Sequence, residues 1–198
     1  MGTSKKFINH YRNGYMPWTH EEVDFNFADM VRDWPINPCR ALELGCGTGT
    51  DAIWFAQNGF DVTAVDVSDI AIGIARENAN KHNVECNFIV ADFWKDGLDQ
   101  GNFDLVFDRG YFHSYKTGKK RRKMAKLVAG QLNAGGLWLS LIGSCDSPPR
   151  TGGPPMHSAK EIISGVEPFF EILVMKSSRF GSEKENPAKN WVVLMKKR

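Results

Sequence analysis

Residues 41–51 read Ala-Leu-Glu-Leu-Gly-Cys-Gly-Thr-Gly-Thr-Asp, and this alternating glycine loop constrains the fold more than any other part of the chain. Residues 40–44 are patterned as a short buried strand. Residues 51–59 follow as a helix, with Ala52, Ile53, Phe55 and Ala56 apolar and Asn58-Gly59 as its stop. Residues 61–65 form a second strand that delivers Asp66. Strand, glycine loop, helix and strand make a βαβ unit. Glycines at 45, 47 and 49 admit positive φ and place no Cβ between the loop amides and a ligand at the helix start. Open α/β sheets bind ligands beyond the carboxyl ends of their strands, where a carboxylate such as Asp66 reaches both ribose hydroxyls.

The spacing of the third glycine separates two nucleotide classes. A dinucleotide-binding loop starting at Gly45 needs Gly or Ala at position 50, where this chain has Thr50, with its glycine one residue earlier. Glu43 adds a negative charge just before the loop, which disfavours a diphosphate and favours an ammonium or sulfonium. A nicotinamide-binding oxidoreductase is therefore disfavoured. The run Glu-Leu-Gly-Cys-Gly-Thr-Gly resembles the first motif of the class I S-adenosylmethionine-dependent methyltransferases. That resemblance implies S-adenosylmethionine as cofactor, held by Glu43, Gly45, Cys46, Gly47, Thr48 and Gly49 and by Asp66-Val67 on the next strand.

Composition fits a compact enzyme of this kind. The 198 residues, 42% apolar and 24% charged, suit a single domain with one sizeable core, in which residues 1–38 form a helical cap and 39–198 the core fold. A formal net charge of +2 gives no bulk case for nucleic acid or a membrane surface as partner. Cys39, Cys46, Cys86 and Cys145 form no CxxC pair, so no metal site is expected. With no signal peptide or 18-residue apolar run, the expected compartment is the reducing cytoplasm.

The alternation continues along the chain. Residues 19–22, Thr-His-Glu-Glu, have a capping-box pattern ahead of a helix carrying Val23, Phe25, Phe27, Met30, Val31 and Trp34. Residues 68–82 read as a helix, 88–91 as a third strand and 103–107 as a fourth. Residues 119–132 read as a helix that Gly135-Gly136 turns into a strand at 137–142. Ser158-Ala-Lys-Glu161 is a second capping box, opening a short helix to Gly165. The last apolar runs, 170–175 and 191–195, are joined by a polar stretch without helical period, which predicts a hairpin. With the resemblance, this implies an α/β, Rossmann-like, doubly wound sheet of seven strands, mostly parallel with an antiparallel C-terminal hairpin.

Loops at the strand ends carry the remaining candidates. Asp92-Phe93 resembles the family position where an acid meets the adenine amine and the next residue packs on the ring; the alternative is a helix cap beside a core phenylalanine. Asp108-Arg109-Gly110 is similar to the thiopurine S-methyltransferase branch and its relatives linked to thiol or tellurite methylation. Pro17-Trp18, where the branch covers its cofactor, and Gly153-Pro154-Pro155, where it covers its substrate, support that likeness. Two departures stand out: Thr19 replaces the usual aspartate after Trp18, and Tyr111-Phe112-His113-Ser114-Tyr115 is more aromatic than the aliphatic continuation of the branch.

The resemblance implies methyl transfer to a small-molecule acceptor, a thiol or related soft nucleophile, with an O- or N-acceptor, or an RNA-modifying activity, as alternatives. Holding an acceptor lone pair in line with an activated methyl group supplies much of the acceleration. A thiol, near its reference pKa of ~8.5, is partly ionised at neutral pH, whereas oxygen or amine acceptors need a base. Asp108, Arg109 and His113 are the candidate catalytic residues: His113 as base or as a hydrogen-bonded loop histidine, Asp108 as acceptor or cap, Arg109 pairing with a carboxylate. Residues 119–123, Lys-Lys-Arg-Arg-Lys, fan around a helix axis at about 100° each and read as a solvated first turn. Among the tryptophans, Trp54, Trp138 and Trp191 read as core, and Trp34 and Trp94 are open.

Overall fold

The computed structural model describes residues 3–99, 101–148, 154–181 and 186–198. Seven strands, β1 (Arg40–Leu44), β2 (Asp61–Asp66), β3 (Asn87–Val90), β4 (Phe103–Arg109), β5 (Leu132–Gly143), β6 (Phe170–Arg179) and β7 (Lys189–Lys197), form one sheet in the order β3-β2-β1-β4-β5-β7-β6. The first five are parallel, and β7 lies antiparallel to both β5 and β6. The strand order reverses between β1 and β4, which opens a crevice at their carboxyl ends.

Both faces of the sheet are covered, and the strands are apolar on both as a result. Successive residues point to opposite faces. Ala41, Leu105, Phe107, Leu139, Leu141, Val192 and Leu194 join one core, and Leu42, Val106, Trp138, Ile142, Val193 and Met195 the other. Helices α2 (Phe25–Asp33), α3 (Thr50–Gln57) and α4 (Asp69–Lys81) fill the first side with Phe27, Met30, Phe55, Ile72 and Ala75. A short α5 (Phe93–Asp96), α6 (Gly118–Gln131) and α7 (Ala159–Val166) fill the second with Phe93, Met124, Val128, Ile162 and Val166. An N-terminal α1 (Thr3–Arg12) lies beside α4.

The capping box at Ser158 forms as expected: Ser158 accepts from Glu161 N while the Glu161 carboxylate accepts from Ser158 N. The one at Thr19 does not. Thr19 Oγ1 donates to Met16 O, His20 reaches Asp51, and α2 begins six residues later with Asp24 accepting from Asn26 N. The Gly135-Gly136 pair also departs from expectation, lying inside β5 where the β4–β5 register shifts, so α6 runs directly into a longer strand. Trp138 is fully buried, whereas Trp54 and Trp191 are half-buried at the core edges.

Candidate active site

The β1–α3 loop enters the crevice with positive φ at Gly45 (71°), Gly47 (55°) and Gly49 (84°). At all three, space as well as φ favours glycine, Gly49 facing Ala75 Cβ at 3.0 Å. A Cβ on Gly45 would lie 2.7 Å from Tyr111 Cδ2, and one on Gly47 would lie 3.0 Å from the Tyr11 hydroxyl. The loop is therefore a cradle walled by two tyrosines, one from the segment after β4 and one from α1. Cys46 is buried within it, and Thr48 O accepts from Asn78 Nδ2 of α4.

Three carboxylates surround the cradle. Asp66, at the end of β2, accepts from Gly47 N (3.1 Å) and Ser68 N (2.9 Å), tying the second strand to the glycine loop. Burial raises its pKa, and the amides of Ser68, Gly47 and Val67 oppose that rise. Glu43, in β1, is 3% exposed, and its Oε2 has no hydrogen-bond partner among the described residues. Burial first, and the neighbouring Asp51 second, push its carboxyl well above the ordinary range. Asp108 is fully buried at the end of β4, accepting from Tyr111 N and Phe112 N (3.0 Å each) and from Trp138 Nε1 (2.9 Å). Burial moves it up to about 6 against those hydrogen bonds. An unpartnered buried carboxylate oxygen beside a cradle that excludes Cβ atoms suits a ligand with a positive charge and a close backbone approach.

The structure gives the other sequence candidates specific positions. Arg109 Nε donates to Asp24 Oδ2 (2.8 Å), its Nη1 to Trp18 O and its Nη2 to Gly181 O, and its guanidinium lies over the Phe180 ring. It binds the segment before α2 to the β6–β7 hairpin. His113 sits in a 3-10 turn (Phe112–Ser114), is buried, and accepts from Gly143 N through Nδ1 (3.1 Å). That lone pair is engaged, so the neutral ring carries its proton on Nε2. Asp92 accepts from Ser4 Oγ of α1 (2.7 Å) and pairs with Lys95. It caps no amide of α5, so the helix-cap alternative is not realised. Phe93 is 1% exposed and belongs to the core, its ring edge-on to Tyr111. Trp18 packs edge-on against Phe7, His10, Tyr11 and Tyr15 and donates from Nε1 to the Tyr11 hydroxyl. Val67 follows Asp66 in the turn into α4, half-buried. Gly153 lies outside the described residues.

Sequence reasoning missed Tyr11, Ser4, Asp24 and the placement of Tyr111 over Gly45. No local pattern carries these contacts, since α1 meets the loops at 45–49 and 92 only through the tertiary fold. Trp94, open at the level of sequence, stacks on Tyr115 (4.5 Å between centroids), which in turn meets Tyr111 (5.8 Å).

Comparison with known proteins falls on the same region. Residues 41–136 match the family model described as a methyltransferase domain. A probable thiol methyltransferase of Arabidopsis thaliana is 30% identical over 152 residues, which cover 72% of this chain and 62% of that protein. A solved structure described as "Conversion of a Disulfide Bond into a Thioacetal Group during Echinomycin Biosynthesis" superposes with a TM-score of 0.84 at 22% identity, covering 99% of this chain and 92% of the other. TehB from Haemophilus influenzae superposes with a TM-score of 0.72 at 20% identity, covering 96% of this chain and 66% of that one. At these identities the two superpositions show a shared fold. The chain spans 32%, 38% and 62% of the lengths of three curated relatives that it matches. No helix among the described residues is long and apolar enough to cross a membrane. The family match runs from β1 through the glycine cradle into β5, so the part of the chain that carries the cradle is similar to a methyltransferase domain.

Proposed function

We propose that this chain transfers the methyl group of S-adenosylmethionine to the sulfur of a small thiol. One observation carries the reading: a glycine cradle that admits no Cβ, joined through Gly47 N to a buried carboxylate on the adjacent strand. Main chain at Gly45, Cys46, Gly47, Thr48 and Gly49 holds the amino-acid portion. Asp66 and Val67 hold the ribose, and Asp92 the adenine amine. Trp18 and Tyr11 close the N-terminal side, and Phe93 supports the adenine side from within the core. Glu43 favours a cationic ligand, and a positive charge nearby returns its raised pKa toward the ionised form. S-adenosylmethionine supplies, when bound, an electrophilic methyl carbon on a sulfonium.

The state of the would-be bases supports sulfur as acceptor. His113 Nδ1 already accepts from the Gly143 amide, and both Asp108 oxygens accept hydrogen bonds. Their lone pairs are engaged by the main chain and by Trp138, and Asp108, although burial raises its pKa to about 6, is fully buried. An acceptor that arrives as a good nucleophile, as a partly ionised thiol does, needs neither as a base. Asp108, Arg109 and His113 then act by position: Asp108 shapes the turn bearing Tyr111, Arg109 fixes the crevice edge, and His113 joins that turn to β5. The thiol methyltransferase relative supports the same acceptor class.

Calorimetry with S-adenosylhomocysteine should give one site per chain, and Asp66→Ala should weaken it by about tenfold or more. Absence of binding to the unmodified protein would overturn the cofactor reading. A panel of thiols, phenols and amines with labelled donor should yield methylated thiols. Phenols or amines labelled in their place would overturn the sulfur assignment alone.

A further inference from the structure

α6 starts with charge of the wrong sign. Its first turn contains Lys119 and Lys120 and no acidic residue, although a helix N-terminus favours anions. Folding supplies partners for two cations of this run: Arg121 turns inward to Tyr115 O, Lys116 O and Glu161, and Lys123 reaches Trp94. Lys119, Arg122, Lys123 and Lys126 are spaced i, i+3, i+4 and i+7, which places them on one exposed face. Five adjacent cations do fan around the axis, but the seventh residue beyond Lys119 restores a stripe.

That stripe borders a groove of about 490 Å³ lined by Gly118, Lys119, Arg122, Lys123, Lys126 and the half-buried Phe169. Among the described residues, Lys119, Arg122 and Lys126 form no ion pair. Lys123 is engaged on the far side, its Nζ 4.2 Å above the Trp94 ring. A Cβ on Gly118 would meet nothing within 4 Å, so the mouth is open at the helix start. The row Trp94, Tyr115, Tyr111 separates the groove from the glycine cradle.

Charge, size and lining together define the ligand. Three unpaired cations within about 10 Å of helix match two or more linked phosphates better than one carboxylate. The volume lies in the range of small-ligand sites, about 300–1,000 Å³, and Phe169 offers a ring for a planar group. We propose that this groove is a second ligand site that takes a nucleoside polyphosphate, with the phosphates on Lys119, Arg122 and Lys126 and the base against Phe169. Anion binding there relieves the repulsion of the first turn and satisfies the helix dipole. The proposal is independent of the methyl-transfer reading.

The test uses the full chain saturated with S-adenosylhomocysteine, titrated calorimetrically with ADP. Binding is expected, weakened about tenfold or more by Lys119→Glu combined with Lys126→Glu, reduced by Phe169→Ala, and weaker as salt rises from about 50 to about 300 mM. The same variants should keep their affinity for S-adenosylhomocysteine and their melting temperature, which shows that they fold. ADP binding indifferent to the charge reversals, or no ADP binding at all, would overturn the site. Binding of a single-stranded oligonucleotide but not of ADP would also overturn it, assigning the face to nucleic acid. If S-adenosylhomocysteine itself failed to bind, dependence of ADP affinity on Lys119 and Lys126 would still decide the question.

Discussion

At the scale of single residues, the crevice is built from side chains and glycines that have no spare tolerance. Gly45→Ala places a methyl group 2.7 Å from Tyr111 Cδ2 at φ 71°, and we expect a loss of about 1–3 kcal/mol in denaturant unfolding. Adding Tyr111→Ala should remove the steric part of that destabilisation but not the backbone part. Asp108 makes a pH-dependent prediction. Its folded pKa of about 6 exceeds the unfolded value near 3.9, so between these values the native state holds more protons. Stability from this group is therefore lost as pH rises from about 4 to about 6 and changes little beyond. Asp108→Asn keeps an oxygen on the Tyr111 and Phe112 amides but turns its NH2 toward Trp138 Nε1, a constant cost without that slope. The stability difference between the two proteins should thus drift by up to about 3 kcal/mol across the window, measured by urea titrations at several pH values. A flat difference would mean that Asp108 titrates normally.

At the scale of elements, identical sequence signals had different outcomes, and tertiary contacts explain why. Ser158 and Glu161 form their reciprocal cap through Glu161 Oε2 because the nearby cation, Arg121, takes the other carboxylate oxygen. Thr19 and Glu22 have the same pattern, yet the stretch is drawn across the start of α3, where His20 O accepts from Thr50 Oγ1 and Asp24 N donates to Asp51. Strand and helix periodicity was legible wherever an element packs on one continuous core. It failed at Gly135-Gly136, where a bulged strand mimics a turn. The element most exposed to a single substitution is the segment around α2. Arg109→Ala leaves the Asp24 carboxylate buried without its partner, an effect of about 3–5 kcal/mol in chemical unfolding. Arg109→Lys should restore only part, because a single ammonium cannot reproduce a fork that meets Asp24, Trp18 O and Gly181 O together.

At the scale of the whole molecule, the cofactor half of the site was readable because its residues lie close in sequence. The loop at 45–49 and Asp66 belong to one βαβ unit, and the chemistry of glycine and carboxylate states its purpose locally. Of the covering half only Trp18 was readable, because Tyr11, Ser4 and Asp24 acquire meaning only when α1 and the following segment fold across the sheet edge. The aromatic cluster of Phe7, His10, Tyr11, Tyr15 and Trp18 holds that cover in place. Trp18→Ala removes several edge-to-face contacts, worth about 0.5–1.5 kcal/mol each, and should speed dissociation of S-adenosylhomocysteine by about tenfold in stopped-flow measurements. An unchanged dissociation rate would show that the cover plays no part in retention. The Arg109 guanidinium has one further consequence. It grips carbonyls from Trp18 and Gly181, two stretches of backbone far apart along the chain. Asp24 and Asn26 bind the same hairpin through Gly181 N and Arg179 O, so any swing that uncovers the crevice must carry the amino-terminal flap and the hairpin bend together, as a yoke, or else snap that joint first.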